Sequence, residues 1–153
     1  MVPPFAMRAV VQRVTRASVR VGEEVIGQVD LGLLVLLGVA KEDDDRDASA
    51  MSEKLLGLRI FSDADGKMNR SVTDVGGALL IVSQFTLLGD TRKGRRPGFE
   101  KAASPDHAQR LYDRVVTVCR ERGITVETGR FAAHMIVSLE NDGPVTFLLD
   151  TRG

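Results

Sequence analysis

Three neutral hydrogen-bonding side chains lie close together in the segment Ser83-Gln84-Phe85-Thr86-Leu87. The segment follows an apolar run, residues 79–82, that is typical of a buried strand. Ser83, Gln84 and Thr86 could line a small polar pocket where this strand ends. Because the segment contains no strong base, a reaction here needs a reactive substrate and a well-placed water or hydroxyl. A strand that simply emerges into solvent is the alternative interpretation.

A second feature is Gly143-Pro144, between strand-like runs at residues 131–139 and 145–149. Proline cannot donate to a sheet ladder, so it must lie at an edge, a bulge or a turn. Glycine allows the main chain to approach a ligand or another backbone closely. An X-Pro bond can also be cis, at a cost of about 0.5–1 kcal/mol. Two bare, rigid carbonyl groups could therefore project here, although a hairpin turn opened by Asn141-Asp142-Gly143 is an alternative.

A basic loop is predicted at residues 91–101. Its basic residues are Arg92, Lys93, Arg95, Arg96 and Lys101. Such a loop could neutralise phosphates while Phe99 stacks on a flat group. A solvated surface loop is the alternative, but the position soon after residues 83–87 favours a role at the same site.

No residue pattern predicts a metal or a cofactor. Residues 63–69 lack two of the acidic ligands of a calcium loop, so Asp65-Gly66 is interpreted as a hairpin tip. His107, on a predicted helix, and His134, in a predicted strand, have no second ligand at a useful spacing. Cys119, the single cysteine, is expected in the core.

The elements that must position these residues are mostly strands. We predict them at residues 7–15, 18–21, 25–29, 33–40, 58–61, 78–88 and 125–127, and on both sides of Gly143-Pro144. One helix follows the acidic run at residues 42–47 and ends near Gly57. A second has Ser104 as N-cap, Pro105 at its first position and Gly123 as its stop. The fold class is therefore α/β (α+β), with a compact, β-barrel-like curled sheet and two packed helices in a single domain.

Composition sets limits on function. The chain has 153 residues, 43% of them hydrophobic, and a net charge of zero, which argues against blanket adhesion to nucleic acid but allows a local basic patch. No apolar run approaches the ~20 residues of a membrane span, and no secretory signal is predicted. One cysteine fits a reducing, cytoplasmic compartment. Residues 1–6 are interpreted as an N-terminal extension and residues 7–153 as the domain.

Three segments together resemble the D-aminoacyl-tRNA deacylase family, of the D-tyrosyl-tRNA deacylase type. They are residues 7–14 (MRAVVQRV), 83–87 (SQFTL) and 141–146 (NDGPVT), and the likeness spans residues 7–152. The resemblance implies a β-barrel-like homodimer. It also implies hydrolysis of the ester that joins a D-amino acid to the terminal adenosine of tRNA, the removal of glycine from mischarged tRNA, and proofreading in translation.

Carried onto this chain, the resemblance implies that Gly143-Pro144 is a Gly-cis-Pro element that enters the partner subunit's pocket and selects handedness. Ser83, Gln84, Phe85 and Thr86 would form the catalytic pocket that receives it. Two mechanisms stay open. In one, backbone N–H groups near Phe85 and Thr86 hold the oxyanion and the substrate's ribose hydroxyl orients water. In the other, Thr86 is a covalent nucleophile.

Two other classes of function compete with this interpretation. A deacylase would use Arg92, Lys93, Arg95 and Arg96 of the basic loop to bind tRNA. A non-catalytic RNA-binding module would use the loop from Arg92 to Lys101. A hydrolase of unrelated small esters or amides would not need the loop at all. Loss of activity on neutralising Arg95 and Arg96 would argue against the second class.

Overall fold

Eight strands, two α-helices and one short 3-10 helix make up the described part of the chain, residues 6–152 of a computed structural model. The strands are β1 (Arg8–Val21), β2 (Glu24–Val29), β3 (Gly32–Gly38), β4 (Phe61–Ser62), β5 (Met68–Arg70), β6 (Ala78–Ser83), β7 (Thr125–Thr128) and β8 (Ile136–Asp150). The helices are α1 (Asp45–Gly57), the 3-10 helix (Phe85–Leu88) and α2 (Pro105–Glu121).

The long strand β1 organises the main sheet. Six strands form this sheet, in the order β2-β1-β3-β6-β7, with β8 on the other edge of β1. The β3–β6 and β6–β7 pairs are parallel, and the rest are antiparallel. The sheet curls until β2 meets β7, where a Cβ on Gly27 would lie only 2.6 Å from the Thr128 carbonyl oxygen. The predicted fold class, a β-barrel-like curled sheet with two packed helices, is therefore confirmed.

Two apolar layers hold this arrangement together. The larger one packs α1 and α2 against one face of the sheet and includes Met51, Leu55, Leu111 and Cys119. The smaller one lies inside the curl, where Val19, Leu34 and Leu80 meet, among others. Strand β3 contributes to both layers, which explains its continuous apolar sequence.

Helix α2 begins as predicted, whereas α1 begins at Asp45, inside the acidic run at residues 42–47 rather than after it. Asp44 caps α1 in a capping box with Asp47. Ser104 caps α2 with Pro105 at its first position. Neither helix in residues 6–152 has the length and apolar character needed to cross a bilayer. Of the predicted extension at residues 1–6, only Ala6 lies within the described residues, and it is buried.

Several strand predictions were wrong in detail. Residues 7–15 and 18–21 form one strand, since β1 is paired along most of its length by β8. Residues 58–61 contribute only the start of the short β4, which pairs with β5 across the predicted tip at Asp65-Gly66. The predicted strand at 78–88 ends at Ser83, and the 3-10 helix begins two residues later, at Phe85. His134 is exposed and lies before β8 rather than in a strand.

Candidate active site

A pocket of about 500 Å³ opens where β6 ends; we call it the Ser83 pocket. Four separate segments line it: the end of β3, residues 83–86, the stretch from Phe99 into α2, and the loop before β8. Its lining residues are Val39, Ser83, Gln84, Phe85, Thr86, Phe99, Ala102, Ala103, Pro105, Ala108, Phe131, Ala132, Ala133 and Met135. The structure thus brings together all four residues that the sequence predicted to share a pocket.

The local backbone explains how Ser83 to Thr86 come to face this pocket. Gln84 continues the extended course of β6 and donates its backbone N–H to the Leu37 carbonyl at 2.8 Å. The chain then turns into the 3-10 helix, which leaves the Phe85 ring 56% exposed. The Gln84 side-chain amide donates to the Thr86 hydroxyl at 3.0 Å. Two of the predicted polar side chains are therefore coupled to each other.

The Ser83 pocket is electrically neutral. None of the described residues that line it carries an ionisable side chain. His107, the histidine on α2, lies outside the lining, with its Nε2 2.8 Å from the Asp43 carbonyl oxygen. Within one chain, the Thr86 hydroxyl therefore has an amide and no base beside it. No group of three or more His, Cys, Asp or Glu residues in the described chain could hold a metal ion.

Gly143 and Pro144 form a bulge within β8 rather than a hairpin turn. The β1–β8 register passes from Gln12↔Thr146 to Val14↔Asn141, so the four residues 142–145, which we call the Gly143 loop, face the single residue Arg13. The Gly143-Pro144 peptide is cis, and Gly143 has a φ of 152°. Both residues are exposed.

Two side chains, those of Asn141 and Arg13, hold the Gly143 loop, and neither was predicted to have this role. The Asn141 side chain accepts from the Val145 N–H at 2.8 Å and donates to the Val145 carbonyl at 2.9 Å, which closes the bulge at its base. Arg13 donates to the Asp142 carbonyl at 3.0 Å and to the Ile60 carbonyl at 2.7 Å. The only sequence signal for Arg13 was a polar side chain within a predicted strand that is rich in β-branched residues.

The Gly143 loop does not contribute to the Ser83 pocket of its own chain, because neither Gly143 nor Pro144 is among the residues that line it. A single chain therefore does not combine the Gly143 loop and the Ser83 pocket into one site. If the two elements act together, a second copy of the chain must bring them together.

The basic loop borders the pocket through an aromatic contact. Phe99 and Phe85 pack edge to face, with ring centroids 5.1 Å apart. Arg92 forms an ion pair with Asp90 at 2.8 Å, and the Arg92 guanidinium holds the pKa of that carboxyl well below its usual range. Lys93 and Arg96 line a shallow concavity of about 360 Å³ next to the ion pair between Arg92 and Asp90. Arg95 is exposed on the same loop.

A buried carboxylate supports the wall of the pocket at Val39. Asp43 accepts from the Ala40 N–H at 2.6 Å and from the Met7 N–H at 3.0 Å. Burial raises the pKa of Asp43 to about 6. The same segment pairs with the other side of the pocket, since the Ala103 N–H donates to the Val39 carbonyl at 3.0 Å.

Comparison with known proteins gives consistent matches. A family model described as D-Tyr-tRNA(Tyr) deacylase matches residues 10–150. D-aminoacyl-tRNA deacylase of Symbiobacterium thermophilum is 59% identical over 95% of this chain and 97% of its own length. The enzyme of that name from Anaeromyxobacter dehalogenans is 62% identical over 95% of this chain and 98% of its own length. A solved structure named c-Myc DNA Unwinding Element Binding Protein has a TM-score of 0.88 and 42% identity, covering 94% of this chain and 97% of that one.

Proposed function

This chain belongs to the D-Tyr-tRNA(Tyr) deacylase family, and we propose that it hydrolyses the ester between a D-amino acid, or glycine, and the terminal adenosine of tRNA while sparing L-aminoacyl-tRNA. It is an aminoacyl ester hydrolase of the D-aminoacyl-tRNA deacylase type. Two features carry the finer proposal. One is the neutral Ser83 pocket, and the other is the separate backbone of Gly143 and Pro144, which is exposed and held in place by Arg13 and Asn141.

In this proposal, main-chain groups of the protein distinguish D-amino acids from L-amino acids. A filter that must accept many side chains cannot grip the side chain, so it fixes the α-amino and carbonyl groups and blocks one direction. Gly143 and Pro144 suit this role, since the exposed glycine presents bare main chain and the proline ring restricts it. An L side chain would collide with their carbonyl groups, whereas a D side chain would point away. Glycine has no side chain to exclude, so glycyl esters are also hydrolysed.

The active unit is a homodimer in this proposal, with the Gly143 loop of one subunit in the Ser83 pocket of the other. Its support is that Gly143 and Pro144 are exposed and lie outside the pocket of their own chain. Strand β8 also presents large apolar side chains to solvent, among them Leu148, which is 80% exposed. Exposed apolar groups on an edge strand are typical of a surface that pairs with another chain.

Hydrolysis proceeds without an ionised protein nucleophile. The first N–H groups of a helix have no intrahelical partners, so those of Phe85 and Thr86 can donate to a developing oxyanion. The substrate's ribose hydroxyl orients the attacking water. Ser83 and Gln84 bind the polar groups of the substrate near the ester. Covalent attack by Thr86 is the less favoured mechanism. Within one chain, the group that is hydrogen-bonded to the Thr86 hydroxyl is the Gln84 side-chain amide rather than a base.

The tRNA is bound beside the pocket by the basic loop. Lys93, Arg95 and Arg96 are exposed there, and Arg92 is oriented by Asp90. Charges in this position neutralise backbone phosphates near the aminoacylated end, which makes binding depend on salt. We assign this activity to residues 7–153 as a single domain. The place of action is the cytoplasm, where the reaction would serve quality control in translation.

Paired incubation with D-tyrosyl-tRNA and L-tyrosyl-tRNA tests the function. We expect rapid loss of the amino acid from the D-ester and from glycyl-tRNA, with the L-ester left intact. Equal hydrolysis of the D- and L-esters would contradict the chiral filter. Salt-sensitive tRNA binding without hydrolysis would instead favour the RNA-binding module.

A further inference from the structure

The loop between β7 and β8 is closed at its base by a sulfur atom. The chain turns between Arg130 and Ala133, where the Ala133 N–H donates to the Arg130 carbonyl at 3.2 Å. The Met135 side chain then lies back over the start of this turn, and its sulfur accepts from the Arg130 N–H at 3.4 Å. The loop brings four residues to the Ser83 pocket, which are Phe131, Ala132, Ala133 and Met135. The Met135 sulfur therefore helps to hold one side of the pocket in place.

The sulfur also fits closely against the main chain of Gly129. A Cβ on Gly129 would lie 2.6 Å from the Met135 sulfur and 3.5 Å from its methyl carbon. The thioether thus occupies the space that a side chain at position 129 would need. Because a thioether is a weak acceptor that packs as an apolar group, this contact depends on a sulfur that carries no oxygen.

Met135 differs from the other sulfur-containing residues in the described part of the chain. Met7 and Met51 are fully buried, and Met68 is 46% exposed on β5 but does not line the Ser83 pocket. Cys119 is fully buried, and burial raises the pKa of its thiol to about 11, so little reactive thiolate forms near neutral pH. Among these residues, Met135 alone is partly exposed and lines the pocket.

We propose that Met135 is a modification site, at which oxidation of the thioether by hydrogen peroxide reversibly lowers activity. The sulfur donates an electron pair to one peroxide oxygen, the O–O bond breaks, and methionine sulfoxide and water are formed. The sulfur is oxidised by two electrons, and the peroxide is reduced by two. Because the pocket must admit the aminoacylated end of a tRNA in the proposed function, a molecule as small as hydrogen peroxide can also reach it.

Either of the two sulfoxide epimers changes this side of the pocket. An oxygen directed toward Gly129 and the Arg130 N–H would push the sulfur away from both. An oxygen directed the other way would add a polar group to a pocket that is lined mostly by apolar residues. Since displacements of about 1 Å can cost about 100-fold in rate, we expect complete oxidation of Met135 to lower kcat/KM by about tenfold or more.

Peroxide treatment of the intact protein tests this inference, which rests on the proposed function. Unaltered protein, Met135→Leu and the matched control Met68→Leu are each treated with hydrogen peroxide and compared with their own untreated samples. Peptide mass spectrometry measures the sulfoxide at each methionine, and D-tyrosyl-tRNA hydrolysis measures activity. We expect a loss of about tenfold or more in the unaltered protein and in Met68→Leu, and less than about twofold in Met135→Leu. Methionine sulfoxide reductases A and B together should restore the activity of the unaltered protein.

Met135→Gln tests the same point without peroxide, because it places a polar group of similar length at this position. It should show a comparable loss of kcat/KM, whereas Met68→Gln should not. The inference is overturned if Met135 stays reduced while Met68 is oxidised, if peroxide inactivates Met135→Leu equally, or if Met135→Gln retains full activity. Failure of the untreated, unaltered protein to hydrolyse D-tyrosyl-tRNA would contradict the proposed function alone, since mass spectrometry measures the selectivity of oxidation without any activity.

Discussion

The Ser83 pocket and the Gly143 loop are built on opposite principles. The pocket is assembled from four distant segments and is lined by neutral and mostly apolar groups. The Gly143 loop spans residues 142–145 of one strand and is fixed by the charged Arg13 and the amide of Asn141. Neither region carries a reactive nucleophile next to a base. The Ser83 pocket can receive a substrate, whereas the Gly143 loop presents a fixed backbone conformation.

The difference indicates where precision is concentrated. Most polar contacts around the Gly143 loop end on main-chain groups, so the side chains there serve mainly to fix backbone; Arg13 also forms an ion pair with the Asp142 carboxylate at 3.3 Å. In the pocket, the side chains themselves are left available, apart from the bond between Gln84 and Thr86. We therefore expect substitutions at the Gly143 loop to affect activity more than conservative substitutions in the pocket.

The largest effect is expected for Gly143→Ala. An added Cβ would lie 2.5 Å from Val145 Cγ2 and 2.6 Å from the Val145 nitrogen, so the loop must shift. We expect D-tyrosyl-tRNA hydrolysis to fall by about 100-fold or more, because shifts of about 1 Å can cost that much. Gly66→Ala is the control, since Gly66 also has a positive φ, 79°, but open space around it. Equal losses in the two variants would contradict this prediction.

A smaller effect is expected for Arg13→Met. The substitution keeps the bulk of the side chain and removes its bonds to the Asp142 and Ile60 carbonyls. We expect about a tenfold loss of kcat/KM and some cleavage of L-tyrosyl-tRNA, because the loop would be less firmly fixed. Arg16→Met, in the same strand, removes an exposed ion pair with Glu140 and should change little. If Arg13→Met spares L-tyrosyl-tRNA as fully as the unaltered protein does, the role of Arg13 in holding the Gly143 loop is contradicted.

Thr86→Ala tests the neutral pocket. It removes the acceptor of the Gln84 amide bond but leaves the backbone N–H groups in place. We expect kcat to fall by less than about tenfold, because one neutral hydrogen bond is worth about 1 kcal/mol. Single-turnover hydrolysis of D-tyrosyl-tRNA measures the effect. A loss of several thousandfold, together with a trapped acyl-enzyme in the unaltered protein, would establish the covalent mechanism instead.

The smallest effect concerns stability under the pocket wall. Between the ordinary pKa of Asp43, 3.8, and its value of about 6, the folded protein holds a proton that the unfolded chain has lost. This group therefore lowers the free energy of unfolding as pH rises through that window. Asp43→Asn removes the titration, so its stability relative to the unaltered protein should improve by about 1–3 kcal/mol from pH 4 to pH 6.5. Urea unfolding at both pH values measures this, and a constant difference would contradict it.

The sequence predicted the framework well because that framework is local. The cap at Ser104 and the apolar β3 follow from near neighbours. The polar end of β6 was recognised, but not its break into a 3-10 helix. The pairing with β3 extends to the bond between the Gln84 N–H and the Leu37 carbonyl, and the chain turns into the 3-10 helix only after it.

The bulge at residues 142–145 depends on contacts even more distant in sequence. Strand β1 pairs with β8 on both sides of it, so the Gly-Pro step could not become a hairpin. The contact between Arg13 and Asp142 joins residues 129 positions apart. No local pattern specifies such a partner, and the role of Arg13 was missed for that reason.

Mixing two inactive subunits tests the central claim most directly. Gly143→Ala leaves the pocket open, and Thr86→Trp blocks the pocket while leaving the Gly143 loop intact. If each site combines the pocket of one chain with the backbone of another, equal coexpression should restore D-tyrosyl-tRNA hydrolysis to roughly one quarter of the unaltered level, since half the dimers are mixed and each has one intact site. Recovery to that level, with L-tyrosyl-tRNA still spared, is the predicted result. No recovery in a preparation shown to contain mixed dimers would contradict the account.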